Sequence, residues 1–433
     1  MSKTAVVLLC AAMAGRAQQK PTPMSGAERQ EVRQMLREAY EETRNHYYDP
    51  TLHGLDWDGR YKQYQGALEK ANGLNDGLRV VASFLSGLKD SHVFFVPPGH
   101  ATRYDSGYKT TLIENRCFVT QVRPKSDAAT KLRPGDEVVK VDGYNVNRQD
   151  YHDLMYFLNV LAPQPSVQLD LRAPEGMEGR AVVNSQSHPA KPYMDLTTYG
   201  PDWWELSKQD RSDWHANRTR IKEEGDVAIW RISRFDLEIE DTEWARKILR
   251  KHKAAILDLR GNPGGSVESL ELVLADFFDH DVKIADQIAR KGKKAMMSKH
   301  DAAPFAGQLI LLVDAASASA AELAARVVQI EHRGTVLGDR SSGAVMESKQ
   351  YEESQGADVK IFYGFSITEA NLVMSDGKSL EGVGVTPDEL VLPTAADLAA
   401  GRDPAMVRAA ELAGLKLDPV EAGKLFPYEW PPL

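Results

Sequence analysis

Leu309-Ile310-Leu311-Leu312-Val313-Asp314-Ala315-Ala316-Ser317-Ala318-Ser319-Ala320-Ala321-Glu322-Leu323-Ala324-Ala325-Arg326-Val327-Val328 is the stretch that decides how this chain is read. Its first five residues form an apolar run of strand length. The residues from Leu323 onward have the spacing of an amphipathic helix. Ser319 therefore falls on a strand-to-helix turn. There Oγ can stand clear of the sheet, and the next backbone N–H can point at a developing oxyanion. Serine is also a favoured helix N-cap, so the position alone leaves two readings, a cap and a nucleophile.

Working outward, strands alternate with helices from Asp226 to Pro393. Val227–Ile232, Ala254–Leu259 and Gln308–Val313 read as strands, and Ser266–Phe278 and Ala320–His332 as helices. That alternation predicts an α/β layer architecture over 223–395. Residues 25–97 carry helical periodicity, with Val32, Met35, Leu36, Ala39 and Tyr40 on one face. Further helices are expected at Trp57–Ala71 and Asp76–Leu88, the last capped by Asn75 or Asp76. Residues 98–185 change to short strands and tight turns. Cys117–Val122, Glu137–Val141 and Val167–Leu171 are expected strands, with a helix near Tyr151–Leu161. Residues 186–222 show no clear period and are expected to be an irregular connection containing Trp203, Trp204 and Trp214. Residues 396–433 form a tail with one helix.

The chain has 433 residues, more than one compact core usually holds. Its net charge of −9 argues against a nucleic-acid or anionic-membrane binder. Met1–Ala17 has a positive start, a short apolar core and small residues at candidate cleavage positions, the pattern of a secretory signal. The apolar run is too short to span a bilayer, so an exported protein with no stable membrane insertion is expected, periplasmic or extracellular. Cys10 leaves room for a lipoprotein anchor. After cleavage Cys117 is the one remaining cysteine, which excludes an internal disulfide.

Three other segments could carry chemistry. Leu259-Arg260-Gly261-Asn262-Pro263-Gly264-Gly265-Ser266 joins a buried strand to a helix. Its paired glycines can bring backbone N–H groups close to a negative charge. Gly264, Gly265 and Ala320 are thus candidate oxyanion donors, the alternative being a plain turn. No Gly-Lys-Ser/Thr follows this turn, so a P-loop is excluded. Gly87-Leu88-Lys89-Asp90-Ser91-His92 supplies a histidine, the commonest general base. Asp376-Gly377-Lys378-Ser379-Leu380-Glu381-Gly382-Val383-Gly384-Val385-Thr386-Pro387-Asp388 supplies carboxylates that could orient it, the alternative being a plain Gly-rich loop before a strand. No histidine pair has metal-ligand spacing, and no cofactor or metal is expected.

Taken in order, Asn-Pro-Gly-Gly, Ser-Ala-Ser-Ala-Ala-Glu, Leu-Gly-Asp-Arg and Leu-Glu-Gly-Val-Gly-Val-Thr-Pro-Asp resemble the S41 serine peptidases, the C-terminal processing proteases and their tricorn-like branch. Leu132 to Gly143 (Leu-Arg-Pro-Gly-Asp-Glu-Val-Val-Lys-Val-Asp-Gly) resembles a PDZ domain of the type those proteases carry. The resemblance covers most of residues 75–393. It implies an α/β (ClpP/crotonase-like) peptidase core, a small β-rich PDZ-like domain and an N-terminal helical segment carrying the base. It also implies peptide or protein substrates, with Ser319 as nucleophile.

One departure separates the two branches. Where the processing proteases place a lysine base, this sequence has Gly338-Asp339-Arg340-Ser341-Ser342-Gly343-Ala344, with alanine at the lysine position. Lys349 lies five residues out of register. The tricorn-like branch instead pairs serine with histidine and supports the histidine by a second serine and a glutamate. Those residues match Ser91, His92 and Glu381. The resemblance therefore implies a Ser319–His92 endopeptidase supported by Glu381 and Ser91. The competing readings are a catalytically inactive peptide- or ligand-binding protein on the same scaffold, and an acyl-CoA enzyme using similar oxyanion geometry.

Overall fold

The computed structural model of this chain describes residues 23–190, 193–195, 220–301, 303–356 and 359–430. The expected signal segment and the three tryptophans of the connection lie outside the described residues. No helix among the described residues is long and apolar enough to cross a membrane.

The core is a six-stranded sheet. Val227–Arg231, Ala254–Asp258, Gln308–Val313, Thr335–Gly338 and Glu389–Leu390 run parallel in that order, and Arg220–Glu224 pairs antiparallel at one edge. Both faces are covered, which is why the strands read as unbroken apolar runs. Trp230, Leu257, Leu311 and Val336 pack on one face with residues of the helices Ile239–Leu249, Val267–Ala275 and Ala320–Ile330. Ile229, Ile256, Ile310, Leu312 and Leu337 pack on the other against Ala405, Met406 and Ala409 of the tail helix Pro404–Leu412.

A second six-stranded sheet is built around one long strand, Val359–Met374. Met346–Gln355 pairs along one side of it. Tyr193–Asp195, Phe94–Val96 and Val282–Ala289 share the other side, and Gly292–Ser298 extends the sheet as a hairpin. Phe95, Phe365, Tyr363 and Ile367 are buried against the N-terminal helices Gly26–His46, Trp57–Glu69 and Leu74–Leu85. The opposite face, with Phe94, Ser366, Leu372 and Gln287, lines a cleft.

The third unit is a small antiparallel sheet in the order Tyr108–Ile113, Arg116–Val122, Glu137–Val141, Ser166–Arg172, Glu178–Asn184.

Several expectations need correction. The third helix begins at Leu74 after Gly73, so neither Asn75 nor Asp76 is its cap, and it tightens to a 3-10 turn at Ser86–Leu88. The segment Tyr151–Leu161 is α-helical only to Tyr156 and then widens to a π-helix. The expected irregular connection contains ordered pairing near its start: Gln186–Pro189 pairs with Thr102–Asp105, and Tyr193–Asp195 joins the second sheet. Those strands are short and their partners distant, so they leave no periodicity to read.

Candidate functional site

Ser319 stands at the N-cap of Ala320–Ile330 with φ 53° and ψ −118°. An ordinary capping serine has extended backbone. A positive φ on a residue with a Cβ is strained and persists only when its surroundings hold it. Here Glu322 does much of the holding. Its side chain is fully buried. It accepts from the N–H groups of Ser319 (3.0 Å), Gly343 (2.7 Å) and Ala344 (2.9 Å) and from Ser341 Oγ (2.6 Å). Burial raises the Glu322 pKa, and these four donors oppose the shift. The Ser319 N–H also donates to the Ala344 carbonyl at 2.9 Å. Ala344, at the position where lysine is absent, thus clamps the turn through its backbone. Lys349 is exposed, with its ammonium over the Tyr351 ring at 5.5 Å.

The glycine turn packs directly behind Ser319. A Cβ on Gly264 would lie 2.6 Å from Ser319 Cβ, and one on Gly265 would lie 2.0 Å from the Phe235 carbonyl oxygen. Only glycine permits these approaches. The three candidate donors are not equivalent. Gly264 N–H donates to Asn262 Oδ1 at 2.8 Å. Asn262 is itself buried and anchored to the Ile232 carbonyl at 2.9 Å. The Gly265 and Ala320 N–H groups have no acceptor among the described residues, and both residues line the cleft with Ser319. Gly264 therefore sets the spacing, while the other two are free to bind an anion.

His92 sits at a helix-to-strand corner. Lys89 ends the 3-10 turn in the left-handed conformation, and Asp90 Oδ1 accepts the His92 N–H at 2.9 Å. That Asx turn directs the chain into Phe94–Val96. Ser91 Oγ lies 2.8 Å from His92 Nδ1 and donates to Glu381 Oε2 at 2.9 Å. Glu381 also accepts the N–H groups of Ser91 and Val345, each at 2.8 Å. The Ser91 hydroxyl has one proton and gives it to Glu381, so its oxygen accepts from Nδ1–H. That tautomer leaves the Nε2 lone pair free. Burial lowers the His92 pKa, with Asp90 opposing. Burial raises the Glu381 pKa, opposed by its Ser91 and Val345 donors.

His92 and Ser319 line one cleft of about 880 Å³. Its apolar wall includes Leu270, Met296, Leu323, Met346 and Leu372. The structure therefore brings Ser319, His92, Gly265 and Ala320 to a common cavity, with Ser91 and Glu381 behind the histidine. Glu322, Asn262, Asp90 and Thr368 were not singled out by sequence reasoning. Glu322 was within reach, because it closes the quoted Ser-Ala-Ser-Ala-Ala-Glu run three residues after Ser319. No group of three or more potential metal-ligating side chains occurs among the described residues.

A strand-turn-helix serine, a histidine with a supported tautomer and two free N–H groups in one cleft define a serine-hydrolase type of site. Residues 226–391 match the model of Peptidase family S41, and residues 28–76 match that of the Tricorn protease C1 domain. Those residues are therefore similar to S41-family serine peptidases. It is 25% identical over 415 residues to putative tricorn protease homolog 2 of Streptomyces coelicolor, covering 87% of this chain and 32% of that protein. It is 23% identical over 288 residues to a probable CtpA-like serine protease of Staphylococcus saprophyticus, covering 64% of this chain and 51% of that one. The chain thus spans a third to a half of the length of these relatives. The fold is shared with mature CPAF, with a TM-score of 0.65 at 16% identity over 86% of this chain and 95% of that chain.

Proposed function

We propose that this protein is a serine endopeptidase in which Ser319 attacks a peptide carbonyl and His92 takes the Ser319 proton at Nε2. His92 then returns that proton to the leaving amine, and water repeats the sequence to release the acyl group. Glu381, acting through Ser91, holds the imidazole and offsets its charge when it is protonated. The Gly265 and Ala320 N–H groups receive the oxyanion, each donor contributing about 3–4 kcal/mol. The observation that carries the reading is the Glu381–Ser91–His92 chain ending in the cleft that also holds Ser319.

The β-rich unit fits a PDZ-like role. Tyr108–Ile113 is an edge strand of its sheet and offers main-chain groups to an extended peptide. Capture of a C-terminal carboxylate at Ser106–Lys109 has less support, since Gly107 N–H already donates to Asp105 at 2.7 Å. The Met1–Ala17 pattern favours export.

The test is reaction of purified protein with a fluorescent serine-directed phosphonate, comparing wild type with Ser319→Ala and His92→Ala. Labelling of wild type that is lost in both variants is expected. Labelling that persists in Ser319→Ala refutes the nucleophile. A folded wild type that never labels favours the binding-protein reading.

A further inference from the structure

We infer that Asp90 is a positioning residue for the base, fixing the His92 backbone and setting a second carboxylate beside the imidazole, so that the charged histidine is stabilised from two sides. This rests on the Ser-His reading above. The Asp90 carboxylate does more than close the Asx turn, for it is held at both oxygens. Oδ1 accepts from His92 N–H at 2.9 Å and from Thr368 Oγ1 at 2.7 Å. Oδ2 accepts from the Tyr47 hydroxyl at 3.0 Å. Thr368 lies on the long central strand, and Tyr47 is fully buried at the end of the first helix. The carboxylate is therefore pinned by two separate elements, more than a turn needs for its own stability.

The pinning continues away from the cleft. The Tyr47 hydroxyl gives its proton to Asp90 and lies 2.8 Å from His53 Nε2, from which it accepts. His53 is in turn held by Asp49, which accepts its backbone N–H at 2.8 Å. Asp49, His53, Tyr47 and Asp90 form a line ending at the backbone of the base. Tyr48, with its own hydroxyl 3.4 Å from His53, and the Arg290 guanidinium on the Tyr47 carbonyl flank this line. Glu381 reaches His92 through Ser91, and Lys89 precedes Asp90 in the chain.

The electrostatic consequence has a sign. His92 is neutral when it waits as a base and positive once it holds the Ser319 proton. A fixed negative charge favours the second state. Burial lowers the His92 pKa and Asp90 opposes that shift. The same charge helps keep the Glu381 pKa raised. Glu381 acts through a hydroxyl; Asp90 acts through space and through the backbone.

Asp90→Asn keeps an oxygen for the His92 N–H and removes the charge. The His92 imidazole is titrated by NMR in the full-length protein, and phosphonate labelling is followed across pH. The expected result is a His92 pKa lower by about 1 unit, an acid limb of labelling displaced the same way, and a plateau rate reduced about tenfold. Thr368→Val, which removes a hydroxyl donor from the same carboxylate and leaves its charge, should not lower the titration. If Asp90→Asn does not fold, Tyr47→Phe carries the test: the charge loses a screening donor, and His92 should titrate higher. An unmoved His92 titration in the folded variant overturns the inference. A moved titration in a protein whose wild type never labels leaves Asp90 beside an imidazole and instead removes the peptidase reading.

Discussion

Gly264→Ala is the substitution for which the structure gives the sharpest number. The added Cβ would lie 2.6 Å from Ser319 Cβ, 3.0 Å from the Ala318 carbonyl oxygen and 3.1 Å from Ala320 N. Carbon atoms in contact prefer roughly 3.5–4.0 Å, so the turn and the serine must separate by about 1 Å. Two of the three obstacles are backbone atoms and cannot rotate away. A displacement of about 1 Å of a reacting group costs roughly 100-fold in rate, which is about 2.7 kcal/mol of barrier. The backbone adds its own strain, because Gly264 has φ +98°, and an L-residue there costs about 1–2 kcal/mol of stability. Gly261→Ala separates the two effects. Its φ is +71° and nothing lies within 4 Å of its added Cβ, so it pays the strain without moving Ser319. The assay is the second-order rate of phosphonate labelling, with urea unfolding measured on the same samples. Gly264→Ala should lose more stability than Gly261→Ala, because overlap adds to the strain, and it alone loses labelling about 100-fold. Equal labelling rates in the two variants would refute the argument that close approach, rather than backbone strain, is what Gly264 provides.

Two further outcomes follow from the electrostatics. Burial sets the His92 pKa below the ordinary histidine value of about 6.5. The neutral base forms as pH rises through that lowered value, so labelling should climb with a midpoint below about 6.5 and be flat above it; a midpoint near 8 would contradict the assignment. Arg260, on the glycine turn, is held by two hydrogen bonds to Asp403 at 2.8 Å each and by Asp258 on the other side. Asp403→Ala should cost roughly 2 kcal/mol, because it breaks a partly buried pair whose arginine keeps Asp258 and also removes the N-cap of Pro404–Leu412. Urea unfolding reads that loss, and a change under about 0.5 kcal/mol would mean the tail is not fastened there. Asp258 is pushed up by burial, but Arg260 and Arg231 outweigh this and hold its pKa low. Its share of stability is therefore present above the unfolded carboxyl value of about 3.9 and is lost as pH falls through the depressed one.

The α/β core was legible because both faces of its sheet are covered. Val227–Arg231, Ala254–Asp258 and Gln308–Val313 are continuous apolar runs separated by helices, and the turns between them carry the serine and the glycines. The second sheet was not legible. Met346–Gln355 is a charged edge strand, and Val359–Met374 faces the cleft on one side and a helical layer on the other. Its partner Phe94–Val96 is three residues long. Strand pairing across such sequence distances leaves no local period, so the cleft floor appears only when the chain is folded.

The site divides along the same line. Ser319 and the glycine turn are local constructions, each a strand end followed by a helix start, and local sequence reveals them. The support of His92 is a long-range construction. Glu381 reaches Ser91 across 290 residues, and Thr368 reaches Asp90 across 278. Spacing cannot disclose such contacts: the Glu381 segment offers several carboxylates, and family resemblance alone singles out Glu381 and Ser91. Asp90 and Glu322 were passed over although both sit inside quoted motifs. Each is a carboxylate taking several hydrogen bonds, and each fixes the backbone of a neighbour: Asp90 that of His92, Glu322 that of Ser319. Their parallel roles suggest a physical reason for an acid beside each reacting residue. Ser319 sits on strained backbone and His92 on a tight Asx turn, and an acceptor that takes donors from several elements ties each of these to the rest of the fold.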